Sequence, residues 1–167
     1  MSSFVQHLFT FPYSEFEATN FVKHVLLSIE DSDIYENQVL YLAENLPFDD
    51  EDRIYECDET TTLNNLFDRI KDFEFGCYFT LMHKETQEDH GFSIQVKNKE
   101  DFLYLAIDWR ISIKSLTIDE TAFVIKLNEL LKATSIYSCA NWLGSVCFVH
   151  QTLEEILEWI GDVKKHL

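Results

Sequence analysis

Apolar residues recur at three- and four-residue steps in four stretches of the chain and at two-residue steps in several others, and these two periods separate helices from strands. Phe21, Val22, Val25, Leu26 and Ile29, following Ala18, form one helical stripe. Phe123, Leu127, Leu130, Leu131 and Thr134 form a second, and Leu153, Ile156, Leu157, Ile160, Val163 and Leu167 a third. Each stripe has the width of a helix that buries one face. Each is also preceded by a Ser/Thr-x-x-Glu box, Ser14/Glu17, Thr117/Glu120 and Thr152/Glu155, whose side chains satisfy backbone donors at a helix start. A fourth helix is expected from about Asp58, burying Leu63, Leu66, Phe67, Ile70 and Phe73.

Strand-like runs occupy 75–83, 91–97 and 102–113, with alternation clearest at Phe92, Ile94 and Val96 and again at Trp109, Ile111 and Ile113. Short polar stretches between them predict an antiparallel meander. A hairpin is expected from 136–140 and 146–150, and 4–11 and 38–42 are candidates for further strands. The order from Asp58 is helix, three strands, helix, two strands, helix. The predicted class is α+β, an antiparallel sheet of about five strands packed with about four helices in a single domain over 1–167, of which 1–57 is an acidic N-terminal portion.

Charge changes this picture from a generic domain to one with a polarity. The 167 residues carry 30 Asp and Glu against 13 Lys and Arg, a net charge of −17. Affinity for nucleic acid rests on Lys and Arg neutralising phosphate, so no nucleic-acid partner is expected. The same repulsion disfavours an anionic membrane surface, and no apolar run approaches the roughly 18 residues of a spanning helix. The N-terminal residues lack the basic start and small-residue cleavage site of a secretory signal, which leads to an expected cytoplasmic location. The imbalance is concentrated: residues 1–60 hold 14 acids and 2 bases. Its densest part is 44–59, where eight acids stand against Arg53 and are interleaved with Leu46, Phe48, Ile54 and Tyr55. The expected partner-binding residues are Glu44, Phe48, Asp49, Asp50, Glu51, Asp52, Tyr55, Glu56, Asp58 and Glu59. Carboxylates would steer a basic protein and the aromatic side chains would anchor it.

Motifs for chemistry are missing from the sequence, so no enzyme activity, catalytic residue or cofactor is expected. The four glycines are dispersed, which leaves no phosphate-cradling loop, and neither a Gly-x-Ser-x-Gly elbow nor a His-Glu-x-x-His pair occurs. His7, His24, His83, His90, Cys77 and Cys147 are the candidate nucleophile and base parts. Cys147 and His150 fall on opposite faces of one predicted strand, and Cys77 and His83 stand too far apart along another. Cys57, Cys77, Cys139 and Cys147 show no zinc-ligand spacing and read as mostly buried thiols, with a Cys139–Cys147 bridge open across the predicted hairpin. A calcium loop starting at Asp49 would put Ile54 at the required glycine and Thr60 at the required Glu, so no metal is expected.

A small, acidic α+β domain without catalytic motifs resembles the immunity proteins of bacterial toxin systems, including contact-dependent growth inhibition. That resemblance implies stoichiometric neutralisation, with the acidic surface occupying the basic cleft of a cognate toxin domain, a nuclease by expectation. The element order from about residue 58 is similar to that of class I type III secretion chaperones, which implies a homodimer holding an unfolded effector segment. An acidic DNA mimic is the third reading, although mimics spread their charge along a surface.

Overall fold

The computed structural model describes residues 3–12, 18–44, 53–70, 76–96, 102–111, 120–139, 152–161 and 163–166. Along the chain these form β1 (Ser3–Pro12), α1 (Ala18–Ser32), β2 (Tyr35–Glu44), β3 (Arg53–Tyr55), a 3-10 turn (Leu63–Asn65) running into α2 (Leu66–Arg69), β4 (Gly76–His83), β5 (Asp89–Gln95), β6 (Phe102–Ile111), α3 (Glu120–Leu131), β7 (Ser135–Cys139), α4 (Leu153–Ile160) and β8 (Val163–Lys165). The class is α+β. Strands pair antiparallel throughout one sheet in the order β3-β2-β4-β5-β6-β1-β7-β8. The three runs of the expected meander become β4, β5 and β6 and the run at 136–140 becomes β7, while the candidates at 4–11 and 38–42 become β1 and β2 and, with β3 and β8, bring the sheet to eight strands among the described residues, beyond the expected five. The expected strand at 146–150 and the caps Ser14, Glu17 and Thr117 lie outside the described residues.

Two-residue alternation decides which side chains meet the helices. Phe9 and Phe11 of β1, Val39 and Leu42 of β2, Cys77, Phe79 and Leu81 of β4, Phe92 and Ile94 of β5, and Leu105 and Ile107 of β6 point to one face. There they pack with Phe21, Val22, Val25 and Ile29 of α1 and Val124, Leu127 and Leu131 of α3, all buried. At its centre Phe79 and Phe92 stack with ring centroids 5.1 Å apart, and the Tyr35 ring meets Phe92 edge-on at 4.9 Å. Leu8 and Cys139 point to the other face, where Ile156 of α4 closes a smaller cluster with Tyr137, Leu153, Leu157 and Val163. β1 lies between β6 and β7, so the N-terminal portion is built into the middle of the sheet and is no appendage to the rest.

Two predicted helices end differently from expectation. The helix foreseen from Asp58 is reduced to the 3-10 turn and α2, because polar side chains capture the backbone first. Thr60 N–H donates to Asp58 Oδ1 at 2.8 Å, and Thr62, in an extended conformation, donates its N–H to Asn65 Oδ1 at 2.9 Å. Leu63, Leu66 and Ile70 are buried as expected and Phe67 packs partly buried on the core, whereas Phe73 lies outside the described residues. At the C-terminus, Thr152 Oγ1 accepts from Glu155 N–H at 3.1 Å, the expected cap. Gly161, at φ 87°, then ends α4, and the chain turns back into β8. Val163 is therefore a strand residue packed on the α4 cluster instead of part of the helical stripe, and Leu167 lies outside the described residues.

Candidate functional site

The acidic segment leads from β2 into β3, the edge of the sheet, so its described residues are placed by strand pairing. Phe48, Asp49, Asp50, Glu51 and Asp52 lie outside the described residues. Glu44, expected at the surface, is the last residue of β2 and only 2% exposed. It stands on the core-facing side beside Cys77, whose thiol is pushed up by burial and by the Glu44 charge. Tyr55 is half-buried against the core, and its hydroxyl donates to Glu44 Oε1. These two residues brace the base of the acidic segment, which is a different role from the direct anchoring expected of Tyr55.

Glu56, Asp58 and Glu59 are exposed. They ride on a turn whose backbone is tied down: Thr61 N–H donates to the Asp58 carbonyl at 3.0 Å, and Asp58 N–H to Thr61 Oγ1 at 3.1 Å. Val39 N–H donates to the Thr61 carbonyl at 2.9 Å, and Gln38 bridges to Thr62. Arg69 Nη2 donates to the Thr60 carbonyl at 3.0 Å from the opposite side. The hydrogen bonds from Thr60 hold the Asp58 carboxyl below the usual carboxylate range. These carboxylates thus stand on fixed backbone.

Next to them the structure exposes apolar side chains that sequence reasoning did not place in the site. The β2–β4 register slips twice, between Tyr35 and Val39 and again between Val39 and Tyr41. Such irregularities insert residues without partners and re-aim side chains. Glu36, Asn37 and Gln38 are consequently exposed in succession, and so are Leu40 and Tyr41. Ile54 of β3 pairs with Ala43 and is 64% exposed. Tyr41, Ala43 and Ile54 share the sheet face turned away from α1, where the Tyr41 ring meets Tyr78 edge-on at 5.8 Å. Regular alternation over 38–42 predicts one buried face and no bulge, so nothing in the sequence signalled Leu40 and Tyr41 as neighbours in solvent.

The candidate catalytic parts go mostly to structural use. His24 Nε2–H donates to the Leu131 carbonyl at 2.7 Å, tying α1 to the end of α3. His83 and His90 are buried with rings 5.2 Å apart; Thr86 N–H donates to His83 Nδ1 at 3.1 Å, and the Tyr35 hydroxyl lies 2.8 Å from His90 Nδ1. Burial holds His90 down to about 3, aided by neighbouring His83 and His7. Cys77 and His83 remain six residues apart on β4. Cys57 is half-buried and Cys77 and Cys139 are buried, while Cys147, the other half of the expected Cys139–Cys147 bridge, lies outside the described residues. His7 is brought beside Ser138, a pairing across β1 and β7 that no local spacing announces.

No family model, curated protein or solved structure matches this chain. Among the described residues no three His, Cys, Asp or Glu converge as metal ligands would, and no helix is long and apolar enough to cross a membrane.

Proposed function

We propose that the protein is an immunity protein that neutralises a basic toxin domain by binding and not by catalysis, docking it on the β3–β2–β4 end of the sheet. The observation that carries this reading is that β2, β3 and the turn that follows expose Leu40, Tyr41 and Ile54 together with the carboxylates of Glu36, Glu56, Asp58 and Glu59, the last two on tied backbone. Apolar contacts at the centre of such a surface supply the binding energy, while the surrounding charge selects and steers a basic partner. A backbone that is already fixed loses little entropy on association. The acidic residues 49–52 belong to the same segment and add to its negative field. A nuclease domain fits as partner because its substrate-binding surface must be basic.

The chaperone reading requires the chain from residue 58 onward to stand as its own unit, and the position of β1 between β6 and β7 weighs against it. The experiment is co-expression with the protein encoded immediately upstream of this gene, followed by calorimetry of the purified pair. A one-to-one complex that Ile54→Asp weakens at least tenfold, with the circular dichroism spectrum unchanged, is the expected result. Binding that ignores Ile54→Asp, or a pair that does not associate, overturns the reading.

A further inference from the structure

At the other end of the sheet, the register sets polar side chains in a row on the face that carries Phe9 and Ile136. His7 of β1 lies directly opposite Ser138 of β7, and Ser138 lies opposite Lys164 of β8. The ladder runs one step past β8, because the His166 N–H donates to the Ile136 carbonyl at 2.8 Å. His166, two residues beyond Lys164, thus shares the face of Ser138. His7 Nδ1 stands 2.6 Å from Ser138 Oγ on one side and His166 Nε2 stands 2.7 Å from it on the other.

A hydroxyl owns one hydrogen, so at most one of the two imidazoles accepts from it. Burial favours His166 as the ring that takes the proton when Ser138 reacts. His7 is 1% exposed beside the Phe123 ring, and a proton received there would create a buried imidazolium. Burial, with the neighbouring His166, accordingly holds His7 down to about 3. His166 is partly exposed, so a proton gained there is solvated. Partial burial and the Lys164 charge lower its pKa, which leaves its ring neutral and able to accept. With His166 as the acceptor, the order runs from His7 N–H to the Ser138 oxygen and from Ser138 O–H to His166, and that order is the one that activates a serine.

We propose that Ser138 is a nucleophile for acyl transfer from carboxylic esters, with His166 as its general base and His7 as a positioning residue. Ser138 Oγ bonds to the acyl carbon as its proton passes to His166 Nε2. The bond from that carbon to the leaving alcohol breaks, and the alcohol departs with the proton. Water then attacks the acyl-serine, its proton passing through His166 back to Oγ as the carboxylic acid leaves. Lys164, on the same face by register, is placed to favour an ester bearing negative charge. The site lies at the opposite end of the strand order from β3 and does not depend on the docking reading.

The test is labelling of the full chain with a fluorophosphonate probe, read by intact mass and peptide mapping. The expected result is a single adduct on Ser138, lost in Ser138→Ala and slowed roughly 100-fold or more in His166→Gln, the usual worth of a general base. His7→Asn, which keeps an N–H near the position of Nδ1, retains labelling within about tenfold of wild type, whereas His7→Leu loses it, a rescue that a purely structural role would not produce. Wild-type protein that is not labelled at Ser138, or is labelled no faster than His166→Gln, overturns the proposal without reliance on any variant that fails to fold.

Discussion

The Tyr55 hydroxyl donates to Glu44 Oε1 across the β2–β3 pair, joining the two ends of the chain that flank residues 45–52. Glu44 is buried, so this contact serves the fold before it serves any partner. A hydrogen bond to a charged group is worth roughly 1.5–3 kcal/mol. Tyr55→Phe is expected to lower unfolding free energy by about that amount in urea titrations, while leaving affinity for a docked partner unchanged if Ile54 and the exposed carboxylates carry the interface. A variant as stable as wild type would show that Glu44 is satisfied without Tyr55.

The buried histidines make the fold sensitive to acid. His7 and His90 are held neutral with pKa values down to about 3, and in the unfolded chain they protonate near 6.5. Their stabilising contribution is therefore complete above about pH 6.5 and is lost as the pH falls toward 3. Each histidine costs about 1.4 kcal/mol per pH unit over that window, or roughly 2 kcal/mol at about pH 5. Urea midpoints should be flat between about pH 7 and 8 and decline steadily below. Equal midpoints at about pH 7 and pH 5 would rule this out.

Gly76 opens β4 at φ 106°, and a Cβ added there would stand 1.8 Å from the Ile94 carbonyl oxygen of β5. Both the backbone conformation and the close approach exclude a side chain. Gly76→Ala should destabilise by more than about 1 kcal/mol, since β4 and β5 cannot part without breaking the Phe79–Phe92 stack. Thermal melting checks this; an unchanged melting temperature is incompatible with the geometry.

Charge reversal separates steering from anchoring. Replacing Asp49, Asp50, Glu51 and Asp52 with Lys should slow association with the basic partner at least about tenfold at low salt and flatten its dependence on ionic strength, leaving the fold intact. Ile54→Asp should act instead through faster dissociation. Stopped-flow measurements at two salt concentrations distinguish the two effects. Association rates indifferent to the four reversals would remove electrostatic steering from the mechanism.

Much of this molecule was legible as pattern. The α1 stripe, Phe123, Leu127 and Leu131 of the α3 stripe, the Thr152 cap and the three runs that became β4, β5 and β6 each depend on spacing within a few residues, which the chain states directly, whereas Leu130 of the second stripe is exposed and Thr134 lies beyond the end of α3. The helix expected from Asp58 failed because the Asp58 and Asn65 side chains captured the Thr60 and Thr62 N–H groups that a helix would have used. The third stripe ran too far because period alone does not register the turn at Gly161.

By itself, the sequence determined the α+β class, the identity of the buried helical faces and the concentration of negative charge in the first 60 residues. The tertiary structure alone decided that Glu44 turns inward, that register slips in β2 expose Leu40 and Tyr41, and that His7, Ser138 and His166 meet. The physical reason is range. Periodicity and capping act between residues three or four apart, whereas strand order and register are settled by the joint burial of distant segments. His7 and Ser138 are 131 residues apart in the chain, and only the insertion of β1 beside β7 makes them neighbours.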